Sequence, residues 1–160
     1  MALTYENMKQ WIMEYCDTLP SIEGLQDRGR IMEFFAPDFQ VRWGDPAIIQ
    51  NREEWVKYLC GHADDYMSII TYQPEPMGIW IDKRKKTAAM LAIEEFKHST
   101  KGGEPILIDV TATLPVKDVM PKEYHAFYLE FCVHDDKVKA KRMMIMPVAP
   151  SARGQIWETA

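Results

Sequence analysis

The chain has 160 residues, of which 47% are hydrophobic and 27% are charged, and its formal net charge is -5. This balance is typical of one globular domain, and the acidic charge argues against a phosphate-binding surface for nucleic acid. No apolar run approaches the roughly 20 residues of a membrane span, and no secretory leader is visible, so we expect a cytoplasmic protein without a membrane partner.

Two helical patterns open the chain. The first is an apolar stripe between Thr4, a suitable N-cap, and Pro20, which cannot continue a helix. The second lies between Ser21 and Pro37, and two internal glycines weaken it. We therefore predict two helices before the first strand.

A short strand and a third helix follow. Within Phe35-Ala-Pro-Asp-Phe-Gln-Val-Arg-Trp43, apolar and polar residues alternate from Phe39 onward, which predicts a half-buried strand. Asn51 with Glu54 three residues later is a capping pattern, and it predicts the start of a third helix.

Extended patterns dominate the rest of the chain. No internal repeat or low-complexity linker interrupts them, so we expect one domain over 1–160, with a core at about 5–147 and an irregular tail at 148–160. The strand-like segments are 68–72, 78–81, 87–97, 106–114, 124–133 and 138–146.

The order of these elements predicts the fold class. It is α+β: a curved, mixed or antiparallel sheet wrapped by three helices from the N-terminal half, which together form a cone with a central pocket. A blind pocket favours small-molecule chemistry over nucleic-acid or membrane binding.

Three short motifs resemble a known group. Phe35–Trp43 is similar to the helix, acidic turn and strand signature of the nuclear transport factor two-like, or SnoaL-like, superfamily. Asn51-Arg-Glu-Glu-Trp55 resembles its third-helix start, and Val133-His-Asp-Asp-Lys-Val138 resembles its last hairpin turn. The overall pattern is nearest to the fungal secondary-metabolite isomerases, cyclases and scytalone dehydratase-like enzymes of that group.

The resemblance implies an enzyme with no metal or organic cofactor, paired as a homodimer through the outer face of its sheet. One position differs from the pattern of this group, and the difference affects the expected chemistry. Trp43 falls near the position where ketosteroid isomerases place a catalytic Asp, and Asp45 follows two residues later. Scytalone dehydratases carry a Tyr there, and their pair of His has no clear match. The catalytic groups are therefore expected on the later strands.

His125 is the first candidate. A strand shows alternate residues to each face, and the more apolar face of 124–133 should line the interior. His125 is the titratable member of that face, and imidazole suits a general acid or base near neutral pH. A rim histidine bonded to a carbonyl is the alternative. The face consists of His125, Phe127, Leu129, Phe131 and Val133.

Two carboxylates are the other catalytic candidates. The isomerase resemblance favours the inward face of 87–98 that includes Ala92 and Glu94, where burial would raise the pKa of the Glu94 carboxyl. Alternatively, Glu94 is solvated near the strand end. Asp109 interrupts an apolar run and needs a partner or a role, unless it shares an exposed face with Thr111 and Thr113.

Further side chains would bind the substrate. Arg42 could bind a substrate oxygen, although its alternation with Trp43 also fits the outer face of the strand. Several tyrosines, Tyr15 among them, could donate a hydrogen bond to a substrate carbonyl, but most such tyrosines are core residues. The expected substrate-binding set is Trp43, Arg42, Phe127, Phe96, Met90 and Tyr72.

Other kinds of site are not indicated. His62-Ala-Asp-Asp65 lacks a second His at ligand spacing, so no metal site is predicted. Lys83-Arg-Lys-Lys86 is best explained as a solvated hairpin tip. The sequence thus favours a cofactor-independent isomerase or cyclase acting on a polyketide- or terpenoid-derived intermediate. The alternatives are a dehydratase and a non-catalytic binding or interaction module.

Overall fold

A computed structural model describes residues 2–44, 46–64, 67–72, 78–98 and 123–147 of the chain. The helices are α1 (Tyr5–Thr18), α2 (Ile22–Gln26), α3 (Arg28–Glu33) and α4 (Arg52–Asp64). The strands are β1 (Phe35–Trp43), β2 (Ile48–Asn51), β3 (Met67–Tyr72), β4 (Ile79–Asp82), β5 (Thr87–His98), β6 (Glu123–His134) and β7 (Lys137–Pro147). Within these ranges no helix is both long and apolar enough to cross a membrane.

One mixed sheet organises the described residues. Its order is β2-β1-β7-β6-β5-β3, and β4 pairs with the other end of β5. The β1–β7 pair is parallel, whereas the remaining pairs are antiparallel. The curled sheet and its helices confirm the predicted α+β cone.

The core lies between the helices and the concave face of the sheet. Met8 and Ile12 of α1, Val56 of α4, and Val41 and Leu129 of the sheet are each at most 1% exposed. Full burial of one such side chain contributes about 1.5–3 kcal/mol relative to exposure. Hydrophobic burial across this layer therefore fixes the helices on one face of the sheet.

The predicted helix starts are confirmed in atomic detail. Thr4 Oγ1 accepts from the backbone N–H of Asn7 at 3.2 Å, and Ser21 Oγ accepts from that of Gly24 at 2.9 Å. At α4 the capping is reciprocal: Glu54 Oε2 accepts from the Asn51 backbone N–H, and Asn51 Oδ1 accepts from that of Glu54. These bonds satisfy donors that a helix start leaves without partners.

The second predicted helix is wrong in its extent. It divides at Asp27, which ends α2 and caps α3 by accepting from the Arg30 backbone N–H at 2.9 Å. An aspartate side chain that captures a following backbone N–H starts a new helix rather than continuing the old one. Four helices, not three, are therefore present in the described residues.

The first strand also begins earlier than predicted. It starts at Phe35 and includes Pro37, where the register against β7 shifts between Phe35 and Gln40. Proline has no N–H to donate, and an irregular stretch of strand accommodates it. The β2 strand, residues 48–51, was not predicted from the sequence.

The last hairpin has the predicted turn. Asp135 and Asp136 both have positive φ, 50° and 55°, which is the backbone of a two-residue type I′ turn. This turn sets the register of β6 against β7. The predicted strand 106–114 and the tail 148–160 lie outside the described residues.

Candidate active site

The register of β5 against β6 brings two predicted catalytic residues together. Ala92 pairs with His125, and Glu94 lies two residues beyond Ala92 on the same face. Side chains related in this diagonal way are within reach of each other when they are long. The small side chain of Ala92, which is fully buried, leaves room for the contact.

His125 and Glu94 form a direct pair. The distance from His125 Nδ1 to Glu94 Oε2 is 2.6 Å, and the two side chains are 16% and 13% exposed. Both predictions of an inward orientation, made from separate strands, therefore agree with the structure. A carboxylate and an imidazole in contact are a usual arrangement for moving protons.

The pair has a defined chemistry. A carboxylate can only accept, so the ionised form of Glu94 requires the proton of a neutral His125 to be on Nδ1. The imidazole lone pair is then on Nε2, the nitrogen that can take a proton from a substrate. The carboxylate stabilises the imidazolium that results, as in other His–carboxylate pairs.

Buried apolar side chains lie on one side of the pair on the sheet. Met90 pairs with Phe127 in the next row, and both side chains are buried. The Phe127 ring meets the His125 ring edge-on, with centroids 6.1 Å apart. Low polarity strengthens electrostatic interactions within the site.

Tyr15 of α1 lies opposite the sheet. The end of α1 is held against β3, because the Ile69 backbone N–H donates to the Leu19 carbonyl at 3.1 Å. Thr71 of β3 is in turn the register partner of Glu94. Burial raises the pKa of the Tyr15 hydroxyl well above its usual value, and the nearby Glu94 carboxylate raises it further. Tyr15 therefore remains a protonated donor at neutral pH.

Aromatic rings from α4 and β1 form a cluster on the helix side of the candidate site. Trp55 and Tyr58 stack with centroids 5.3 Å apart, and Trp43 lies 4.9 Å from Tyr58. The Trp43 indole N–H donates to Gln50 Oε1 at 2.7 Å. His62 donates from Nδ1 to the Tyr58 carbonyl at 3.0 Å, which helps to fix this end of α4.

The other predicted site residues have different outcomes. Arg42 is exposed on the opposite face of β1 from the buried Val41, so the structure favours the outer-face interpretation over substrate binding. Asp109 lies outside the described residues. Phe96 and Tyr72 are placed in β5 and β3 by their backbones, while their side chains fall outside the described part of the chain.

Trp55 and Tyr58 were not singled out by the sequence analysis as site residues. They follow the apolar spacing of a helix, and such residues are more often simple core. Tyr15 was weighed as a donor but set among core tyrosines. The described ranges contain no cluster of three or more His, Cys, Asp or Glu residues that could hold a metal ion.

Comparison with known proteins gives the fold. No protein-family model and no curated protein matches the chain. Among solved structures, AusH from Aspergillus nidulans is similar with a TM-score of 0.62 at 9% identity, covering 91% of this chain and 86% of its own. PrhC from Penicillium brasilianum gives a TM-score of 0.61 at 13% identity, with 94% and 84% covered.

A scytalone dehydratase-like protein from Novosphingobium aromaticivorans gives a TM-score of 0.57 at 11% identity, with 90% and 83% covered. The neighbours also include a polyketide cyclase-like protein from Xanthomonas campestris. The chain therefore shares the cone-shaped fold of these structures, one of which is described as cystatin-like. At these low sequence identities the similarity shows the fold only, and the activity has to be inferred from the residues of the site.

Proposed function

We propose that this protein is a cofactor-independent isomerase or cyclase that moves protons on a polyketide- or terpenoid-derived intermediate of secondary metabolism in the cytoplasm. The observation that carries the proposal is the His125–Glu94 contact of 2.6 Å beside buried apolar side chains. The names of two structural neighbours, a polyketide cyclase-like and a scytalone dehydratase-like protein, support the class of chemistry.

The proposed mechanism uses the pair as one acid–base unit. Nε2 of His125 takes a proton from an acidic carbon of the substrate, and Glu94 stabilises the imidazolium. The imidazolium then returns that proton to a different atom of the same substrate. The proton count is unchanged, so the product is an isomer. If the proton instead goes to a leaving hydroxyl, the same pair acts as a dehydratase.

A proton-exchange assay tests this function. 2-Tetralone, a bicyclic ketone with acidic carbon-bound protons, is incubated with the protein in deuterated water, and exchange is followed by proton NMR. We expect the wild type to accelerate exchange and His125→Ala to lose the acceleration by about a hundredfold or more, the usual share of a general acid or base. A chelator should leave the wild-type rate unchanged.

The chain offers a matched control. His134 is an exposed histidine beside the β6–β7 turn, 3.3 Å from Asp135, and His134→Ala should exchange like the wild type. Equal rates in the His125→Ala variant and the wild type would reject the proposed proton transfer. The non-catalytic alternative, supported by a neighbour resembling a calmodulin-dependent kinase association domain, predicts no acceleration in any variant.

A further inference from the structure

A groove on the protein surface lies where α1, α3 and the start of β7 meet. Its volume is about 280 Å³, and its apolar lining is formed by Trp11, Phe34 and Val138. Val138 and Pro147, the register partner of His125, lie near opposite ends of β7. At roughly 3.3 Å per residue, the strand separates them by about 30 Å. The groove is therefore a second cavity, distinct from the candidate active site.

The aromatic part of the groove is held in place by its neighbours. The Trp11 indole N–H donates to the Phe34 carbonyl at 2.8 Å, and Tyr15 stacks on the indole with ring centroids 5.1 Å apart. The Phe34 ring meets the indole edge-on at 5.7 Å. Side chains fixed in this way lose little conformational freedom when a ligand binds, and their rings can pack against a flat apolar group. The lining therefore suits an aromatic ring as the apolar part of a ligand.

The charged rim of the groove has two groups that the fold leaves available. Among the described residues, the side chain of Arg30 on α3 has no ion-pair or hydrogen-bond partner, and only its backbone N–H is bonded. Glu14 of α1 accepts from the Gln10 side-chain amide at 2.7 Å and pairs with no cation in that part of the chain. In contrast, Glu33 and Lys137 on the same rim neutralise each other at 2.8 Å. The rim thus offers one cation and one anion that do not pair with each other.

A ligand that matches both of these charges is a zwitterion. We propose that the groove binds an aromatic α-amino acid, with its carboxylate on Arg30, its ammonium on Glu14, and its ring against Trp11 and Phe34. A guanidinium binds a carboxylate through two parallel hydrogen bonds, and the second oxygen of Glu14 can accept from an ammonium. The volume is near the lower end of the range for ligand pockets, which fits a molecule of this size better than a multi-ring intermediate. This site goes beyond the proposed proton-transfer function and involves no covalent step.

Three ligands separate the contributions of the two charges. L-Phenylalanine carries both, 3-phenylpropionate lacks the ammonium, and 2-phenylethylamine lacks the carboxylate. Each is titrated into isotope-labelled protein at neutral pH and followed by NMR at the indole N–H signal of Trp11, which is identified as the one missing from Trp11→Phe. Because the groove is open to solvent, we expect a dissociation constant on the order of 1 mM for phenylalanine and weaker binding of the other two ligands.

Variants assign each charge to its partner. Arg30→Gln should weaken phenylalanine binding about threefold to fivefold, as expected for an exposed ion pair, and should leave 2-phenylethylamine binding unchanged because that ligand has no carboxylate. Glu14→Gln should weaken phenylalanine binding by a similar factor and leave 3-phenylpropionate binding unchanged. Arg28→Gln and Glu6→Gln are the matched controls, since each removes an exposed charge from the same helix outside the groove lining, and both should bind phenylalanine like the wild type.

Equal affinity of the wild type for phenylalanine and for either of the other two ligands would overturn the proposal. So would a Trp11 signal that does not move with phenylalanine, or equal phenylalanine affinity in Arg30→Gln and Arg28→Gln. His125→Ala should bind phenylalanine like the wild type, so the failure of this site and the failure of the proposed proton transfer are measured separately.

Discussion

Glu94 keeps only 13% of its side chain exposed, on the face of β5 that also carries the buried Ala92 and Met90. A buried carboxylate costs free energy unless a partner compensates for its lost hydration. His125, at 2.6 Å, is that partner. The two side chains therefore act as one unit in proton transfer, and replacing either of them should change the rate of that transfer.

Replacing Glu94 with Gln tests this coupling. The amide preserves the size of the side chain but removes the charge that stabilises the imidazolium, so we expect exchange of 2-tetralone to slow by about tenfold to a hundredfold. Glu130→Gln is the control, since Glu130 accepts from the Tyr128 hydroxyl at 3.2 Å, an exposed contact on the neighbouring strand β6. A Glu130→Gln rate as low as that of Glu94→Gln would argue against a specific role for Glu94.

At the scale of elements, ion pairs between two lysines of β7 and Glu33 of α3 connect the β6–β7 hairpin to that helix. Glu33 Oε2 accepts from Lys137 Nζ at 2.8 Å and lies 3.7 Å from Lys139 Nζ. The Lys139 side chain is only 5% exposed, so its ammonium depends on this carboxylate more than a surface lysine would. The tie holds the hairpin beside the start of β1.

Glu33→Gln should therefore destabilise the fold by about 1 kcal/mol at neutral pH, measured by urea unfolding. Asp38→Asn is the control, because Asp38 and Lys141 form an exposed pair at 3.2 Å, and its effect should stay within about 0.5 kcal/mol. Equal losses of unfolding free energy in the two variants would show that Lys139 adds no stability to the interaction with Glu33.

The pH dependence of this tie has a definite sign. The hydrogen bond from Lys137, and then the charge of Lys139, lower the pKa of the Glu33 carboxyl in the folded state. A depressed folded pKa contributes stability above the unfolded pKa, and that stability is lost as pH falls through the folded value. The difference in unfolding free energy between the wild type and Glu33→Gln should accordingly shrink in acid.

At the scale of the whole molecule, the convex face of the sheet carries an apolar row. Paired residues across six strands form it, and its exposed hydrophobic members are Ile49, Met144, Tyr128 and Trp80, with Arg42 and Ala89 between them. Ile49 is 65% exposed and Trp80 is 55% exposed. Contiguous exposed apolar surface of this kind is typical of protein interfaces.

We propose that two copies pair through this row, which would also place Arg42 at an interface. Sedimentation velocity should show a dimer for the wild type and a monomer for Met144→Glu, because a charge at the centre of an apolar interface is costly. Met13→Glu is the control, since Met13 is similarly exposed but belongs to α1. A monomeric wild type, or dimers in both variants, would contradict the proposal.

Local rules explain the elements that sequence reasoning predicted well. Caps at Thr4, Ser21 and Asn51, and the turn at Asp135-Asp136, depend on residues within three or four positions of one another. The division of the second helix at Asp27 is also local, but the sequence analysis assigned the apolar residues on both sides of Asp27 to one weakened helix. The β2 strand forms because β1 offers it an edge, which the sequence of 48–51 does not reveal.

The alternation of side chains along a strand explains part of what could be predicted about the site. Alternation selected the face of β6 that the structure buries and so nominated His125, whereas the face of β5 that carries Glu94 was chosen from the resemblance to the isomerases. Neither could show that the two side chains touch, because contact depends on the register that places Ala92 opposite His125. Alternation also left Arg42 either on the outer face of β1 or in the substrate site, and only its exposure in the structure favours the outer face.

The sequence by itself determined the α+β class, the helix starts, the last turn and the inward face of β6, since each follows from nearby residues or from a period of two or 3.6. The tertiary structure alone decided which side chains meet. The His125–Glu94 pair depends on strand register, and the approach of Tyr15 and Trp55 depends on how α1 and α4 pack over the sheet. Such contacts join residues 31 or more positions apart, and only the assembled core fixes their separation.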